Sequence, residues 1–157
     1  MTLLSDSRLL ERMAQGDTTS FDVLFYRHYD RVYGLLFRLM GERAEAEDLA
    51  QEVFVRLHTR GRSARSILPD ENVGGWLYRV AMNLGYNALR DRSRRWARDT
   101  HLVPEPEAGV ESLVDDRAER TRVRAALARL PERQALLLLL RQMNFSYAEC
   151  AAICEVS

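Results

Sequence analysis

Ala44-Glu45-Ala46-Glu47-Asp48-Leu49-Ala50-Gln51-Glu52-Val53-Phe54-Val55-Arg56-Leu57 is the stretch that decides how this chain reads. Leu49, Val53 and Leu57 recur every four residues, so a helix over residues 44–60 would turn them inward together, with Gly61 as its stop. Asp48 and Glu52, also four apart, are then left on an outer face with Gln51 and Val55. Acids in a first helical turn are favoured by the helix dipole, and most charged faces are simply solvated. Composition alone therefore leaves two readings of this face, a wetted surface or a docking surface for a protein.

Upstream, Phe21, Leu24, Phe25, Tyr29, Val32, Tyr33, Leu36 and Met40 keep the three-and-four spacing of an amphipathic helix. That helix starts after Gly16-Asp17-Thr18, where Asp17 or Thr18 can cap it, and stops near Gly41. A shorter helix over residues 7–15 precedes it. Downstream, residues 61–74 hold Pro69, Asp70 and Asn72, show no period, and read as a surface loop.

Helix is predicted again over residues 75–96, with Leu77, Val80, Ala81, Leu84 and Ala88 facing inward. Its outward stripe is Arg79, Asn83, Asn87 and Arg90, followed by Arg92, Arg94, Arg95 and Arg98. Asparagine can pair with a base edge through two hydrogen bonds, and arginine can bind phosphate or guanine, so the stripe suits DNA. Trp76, Tyr78, Tyr86 and Trp96 are interleaved with it, and an exposed ring could stack on an unpaired base. Burial in the core is the favoured reading for Trp76 and Tyr78.

Residues 97–110 are poor in large apolar groups, include Pro104, Pro106 and Gly109, and read as a flexible linker. Helices are predicted beyond it over residues 111–130 and 132–143, broken at Leu130-Pro131. Ser146-Tyr147-Ala148-Glu149 fits a capping box that opens a last helix. No strand pattern or repeat is present, which makes the chain all-α.

The 157 residues, 46% of them hydrophobic, suffice for one ordinary domain or two small helical ones. No run approaches the ~20 apolar residues needed to span a bilayer, so membrane insertion is not expected. Residues 1–11 lack a signal-peptide pattern, which leaves the cytoplasm as the expected location. Cys150 and Cys154 are four apart on one helical face, where they read as buried small hydrophobes in a reducing compartment. No metal or other cofactor is implied: His28, His58 and His101 are scattered, and neither a phosphate loop nor a nucleophile elbow occurs. The formal net charge is zero, yet all 23 basic residues are arginines and they cluster apart from the acids at 42–52. Separate acidic and basic surfaces suit two different partners.

These residues resemble a family. Residues 44–57 are similar to the polymerase-binding helix of bacterial sigma factors. Trp76-Leu77-Tyr78-Arg79-Val80-Ala81-Met82-Asn83, with Asn87, Leu89, Arg90 and the arginines beyond, resembles the promoter-reading helix of the extracytoplasmic-function (ECF) group in the sigma-70 family. Leu127 and Leu130-Pro131-Glu132-Arg133-Gln134, then the capping box at 146–149, resemble the opening of that group's C-terminal helix-turn-helix domain. The three motifs occur in the family's order.

The resemblance implies a non-enzymatic transcription factor with a region-2 domain at 1–96, a linker at 97–110, and a partial region-4 domain at 111–157. It implies that Asp48, Gln51 and Glu52, with Phe54 and Val55 as neighbours, contact core RNA polymerase. It further implies that Asn83 helps read the minus-ten promoter element and that Arg79, Asn87, Arg90, Arg92, Arg94 and Arg95 face DNA. The loop at 61–74 corresponds to the segment that captures a flipped base. Binding of unpaired bases offsets the few kcal/mol of unstacking, so the sigma subunit consumes no nucleotide when the promoter opens. An anti-sigma factor is a further expected partner. The C-terminal unit stops where a recognition helix would begin, and Glu155 stands at a turn position usually held by glycine, so a truncated chain is expected. The alternative is a sigma-like regulator that binds core polymerase or an anti-sigma factor without initiating transcription.

Overall fold

The computed structural model describes residues 3–61, 72–98 and 111–154, and every regular element among them is a helix. The first, α1 (Asp6–Ala14), is capped by Ser5, whose side chain accepts from the Arg8 amide at 3.4 Å, and it buries Leu9 and Met13. The second, α2 (Thr18–Met40), begins at Asp17, whose carboxylate accepts from the Thr19 amide at 3.0 Å, and ends at Gly41 with φ 71°. A left-handed φ suits glycine, and the guanidinium of Arg124 lies over the place a Cβ on Gly41 would take.

Helix α3 (Arg43–Gly61) returns along α2, and α4 (Val73–Arg98) packs against both. The α2–α4 approach is close because Gly85 has no side chain; a Cβ there would meet Leu36 and Leu39 at 2.9 Å. Asn72 starts α4 by accepting from the Gly75 amide at 2.9 Å. This cap falls in a segment that its sequence marks only as loop.

Helices α5 (Glu111–Arg129), α6 (Glu132–Gln142) and α7 (Tyr147–Cys154) complete the chain, and all three pack on α4. Pro131 separates α5 from α6 as expected, since it cannot continue a helix. The reciprocal cap of α7 is present: Ser146 Oγ accepts from the Glu149 amide at 3.1 Å, and Glu149 Oε2 accepts from the Ser146 amide at 2.7 Å. Asn144 takes φ 68° in the turn before it, a conformation asparagine tolerates better than most residues.

Buried side chains from all the helices merge into one cluster centred on α2 and α4. Leu24, Val32, Leu35, Leu36 and Leu39 of α2 meet Leu77, Ala81 and Met82 of α4 and Ala46, Ala50, Val53 and Leu57 of α3. Leu136, Leu139, Leu140, Cys150, Ile153 and Cys154 extend it through α6 and α7. Both cysteines are buried free thiols, and burial pushes the Cys154 thiol up from its ordinary value.

Candidate functional site

The outer face of α3 carries Asp48, Gln51, Glu52 and Val55, all exposed. Val55 is 62% exposed and gives this otherwise polar face one apolar contact point. Two local ion pairs hold the charged side chains in place: Arg43 to Glu47 and Arg56 to Glu52, each at 3.0 Å and four residues apart. Exposed pairs of this kind contribute little to stability, so they orient the carboxylates without neutralising the face in any lasting way.

Phe54 has to be removed from this face. It is 2% exposed, and its ring packs 4.8 Å from that of Phe25 and 6.0 Å from that of Tyr29. The reason is helical phase: Phe54 follows the buried Ala50 by four residues, so it shares the inner side, while Leu49 is displaced to the half-buried margin.

On α4, Asn83, Asn87, Arg90, Arg94 and Arg95 are exposed, with Asn83, Asn87 and Arg90 spaced to lie along one side of the helix. The guanidinium of Arg90 sits 4.7 Å from the centre of the Tyr86 ring, a cation–π contact that steadies the arginine while leaving it open to solvent. The other two residues expected here are placed differently. Arg79 is half-buried and donates from Nη1 to the Ile153 carbonyl at 2.8 Å, which ties α4 to α7. Arg92 donates to the Met40 carbonyl at 2.9 Å and forms an ion pair with Glu45, bracing the end of α2 and the start of α3. A cation at a helix C-terminus is stabilising because it meets carbonyls that have no helical partner. Arg92 thus corrects the expectation of a DNA-facing arginine.

The aromatic residues of α4 belong to the core. Trp76 is 8% exposed, Tyr78 packs edge-on to Phe145 at 5.5 Å, and the Tyr86 hydroxyl donates to the Ala128 carbonyl at 3.1 Å. Burial raises the Tyr78 hydroxyl pKa, against the opposing influence of Arg31. The side chain of Trp96, residues 62–71 of the loop at 61–74 expected to capture a base, His101, most of the linker and Glu155 lie outside the described residues.

Sequence density grouped Arg92 with its neighbours, but density does not say which side of a helix a residue takes. The missed signal is the pairing of Arg92 with the Met40-Gly41 helix end. His28 and His58 are both packed, His28 bonding Asp6 at 2.7 Å and His58 lying edge-on to Phe21 at 5.1 Å. Among the described residues, no group of acids, histidines and cysteines has the geometry of a metal site, and no helix is long and apolar enough to cross a membrane.

Comparison with known proteins identifies the family. Residues 24–95 match the family described as Sigma-70 region 2, and residues 120–157 match Sigma-70, region 4. The chain is 30% identical to the RNA polymerase sigma-H factor of Pseudomonas aeruginosa, aligning 99% of its length with 85% of that protein. It is 30% identical to the ECF RNA polymerase sigma-E factor of Haemophilus influenzae, with 97% of this chain and 85% of that one covered. It is also 35% identical to the ECF RNA polymerase sigma factor SigE of Mycolicibacterium smegmatis, over 88% of this chain and 54% of the relative. Two ordered regional matches and relatives aligned over nearly the whole of this chain make the assignment: the chain belongs to the extracytoplasmic-function group of the sigma-70 family of RNA polymerase sigma factors, which act as transcription initiation factors and not as enzymes.

Proposed function

We propose that α3 holds core RNA polymerase through Asp48, Gln51, Glu52 and Val55, and that α4 reads and helps to open the minus-ten promoter element through Asn83, Asn87, Arg90, Arg94 and Arg95. The observation that carries the reading is the exposure of both sets on neighbouring helices within the region-2 match, one set rich in carboxylates and the other free of them. Carboxylates at fixed spacing suit a basic protein surface, and amides with guanidinium groups suit bases and phosphates. An anti-sigma factor, expected from the family, is the second protein partner in this proposal. The division into a region-2 unit at 1–96, a linker at 97–110 and a region-4 unit at 111–157 is part of the same proposal.

Run-off transcription with core polymerase tests it. The chain should direct transcripts from a matching promoter, and Asn83→Ala should reduce transcription from that promoter more than from one altered in the minus-ten element. Equal losses on both would contradict base reading by Asn83. Binding to core polymerase with no transcript would favour a regulatory sigma-like protein instead.

A further inference from the structure

Where the C-terminal half of α4 passes α5, the two helices leave a cleft of about 680 Å³. Arg90, Arg92 and Arg94 line it from α4, and Arg122, Arg124 and Arg129 from α5. No carboxylate is among its described lining residues, which otherwise include the hydroxyls of Ser93 and Thr121 and the apolar side chains of Leu89, Ala125 and Ala128. Glu45 balances Arg92 from outside the cleft. Arg94, Arg122 and Arg129 form no ion pair with a described residue.

Six like charges around one space repel each other, and one of them, Arg124, is also partly buried. Arg124 packs against Gly41 and donates from Nε to the Arg38 carbonyl at 3.4 Å. Burial first, and then the charges of Arg120 and Arg92, hold its guanidinium below the ordinary arginine range. A multiply charged anion would relieve this repulsion and meet planar donors suited to bidentate contact with phosphate. The apolar lining and the flat guanidinium faces are suited to a ring system. A volume of this size is in the range of ~300–1,000 Å³ common for small-molecule sites.

We infer that the cleft binds a nucleotide bearing two or more phosphates, with the phosphates against the arginines and the base against Leu89, Ala125 and Ala128. Because α4 and α5 each supply one wall, the bound nucleotide stabilises the packing of the C-terminal helices on α4. It also competes with DNA for Arg90 and Arg94. The site itself does not depend on how α4 reads promoters, since Arg122 and Arg129 lie outside the proposed DNA face.

Isothermal titration calorimetry of the full chain with ATP, GTP, inorganic tripolyphosphate and a short single-stranded oligodeoxynucleotide tests this. The expected result is saturable binding of at least one nucleotide, tighter than tripolyphosphate. Replacing both Arg122→Ala and Arg129→Ala should weaken it by about tenfold or more, as loss of charge-assisted hydrogen bonds does. Circular dichroism should stay unchanged. Arg129→Lys alone, which keeps the charge and loses the fork, should give an intermediate loss, and Arg12→Ala on α1 none. No saturable nucleotide binding, an equal loss in Arg12→Ala, or tripolyphosphate binding as tightly as the nucleotides would each overturn the inference. So would saturable binding of the oligonucleotide alone, which would assign the cleft to nucleic acid. Failure of promoter reading is detected separately, through Asn83→Ala in transcription.

Discussion

Arg79 of α4 donates to the carbonyl oxygen of Ile153 in α7 at 2.8 Å, across 74 residues of chain. The Tyr86 hydroxyl to Ala128 and the Tyr78–Phe145 edge contact lie along the same seam, so three residues of α4 hold the C-terminal helices. A hydrogen bond from a charged donor typically contributes about 1.5–3 kcal/mol, and the partial exposure of Arg79 places it toward the lower end. Arg79→Ala should therefore speed amide hydrogen exchange in α7 while leaving α2 and α3 protected. Unchanged exchange in α7 would mean that the bond does not hold the seam.

Arg92 and Arg94 are two residues apart on one helix and have different work. Arg92→Ala removes a brace to the Met40 carbonyl and to Glu45, so it should lower the melting temperature. Arg94→Ala should leave melting nearly unchanged, weaken binding to all DNA sequences, and reduce the slope of log affinity against log salt by about 0.7–0.9. Differential scanning fluorimetry and fluorescence anisotropy across a salt series separate the two. The opposite assignment of effects would contradict the placement of these side chains.

The capping box opens the last helix with two bonds, and Ser146→Ala deletes one of them. Loss of such a cap costs about 1 kcal/mol. For a domain of this size that corresponds to a fall in Tm of about 2–4 °C. Ser146→Asp keeps an acceptor at the cap and should recover most of the loss.

Asp6 ties α1 to α2 through Arg27 and through His28 at 2.7 Å. Burial alone would raise its carboxyl pKa, but the hydrogen bonds and charges of His28 and Arg27 outweigh it and leave the value below the ordinary one. A depressed folded-state value means that the stabilisation is complete above the unfolded carboxylate pKa and is lost as pH falls through the folded one. Tm measured against pH should therefore fall more steeply in acid for the wild type than for Asp6→Asn. Parallel curves would remove Asp6 as a contributor.

Much of the fold was legible because its boundaries are chemically marked. Asp17 and Gly41 delimit α2, Pro131 parts α5 from α6, and the reciprocal Ser146–Glu149 pair opens α7. The outward positions of Asp48, Glu52, Asn83 and Asn87 followed from periodicity alone. Arg79 and Arg92 did not, for a common reason: each is placed by a partner remote in sequence, namely Ile153 and Met40. Phe54 differs, since its burial follows the phase of α3 from Ala50 and only the family resemblance set it on the outer face. Periodicity describes one helix against an unspecified core, and it cannot say that α4 is covered on several sides. The arginines of α5 escaped notice because their significance depends on facing those of α4 across a shared space.

The most direct test is capture of core RNA polymerase by the Asp48→Arg chain in a pull-down, with circular dichroism as the check on folding. Asp48 is exposed on α3, so reversing its charge should leave the helices intact and abolish capture. Capture at the wild-type level by a normally folded Asp48→Arg chain would contradict the assignment of the α3 face to polymerase.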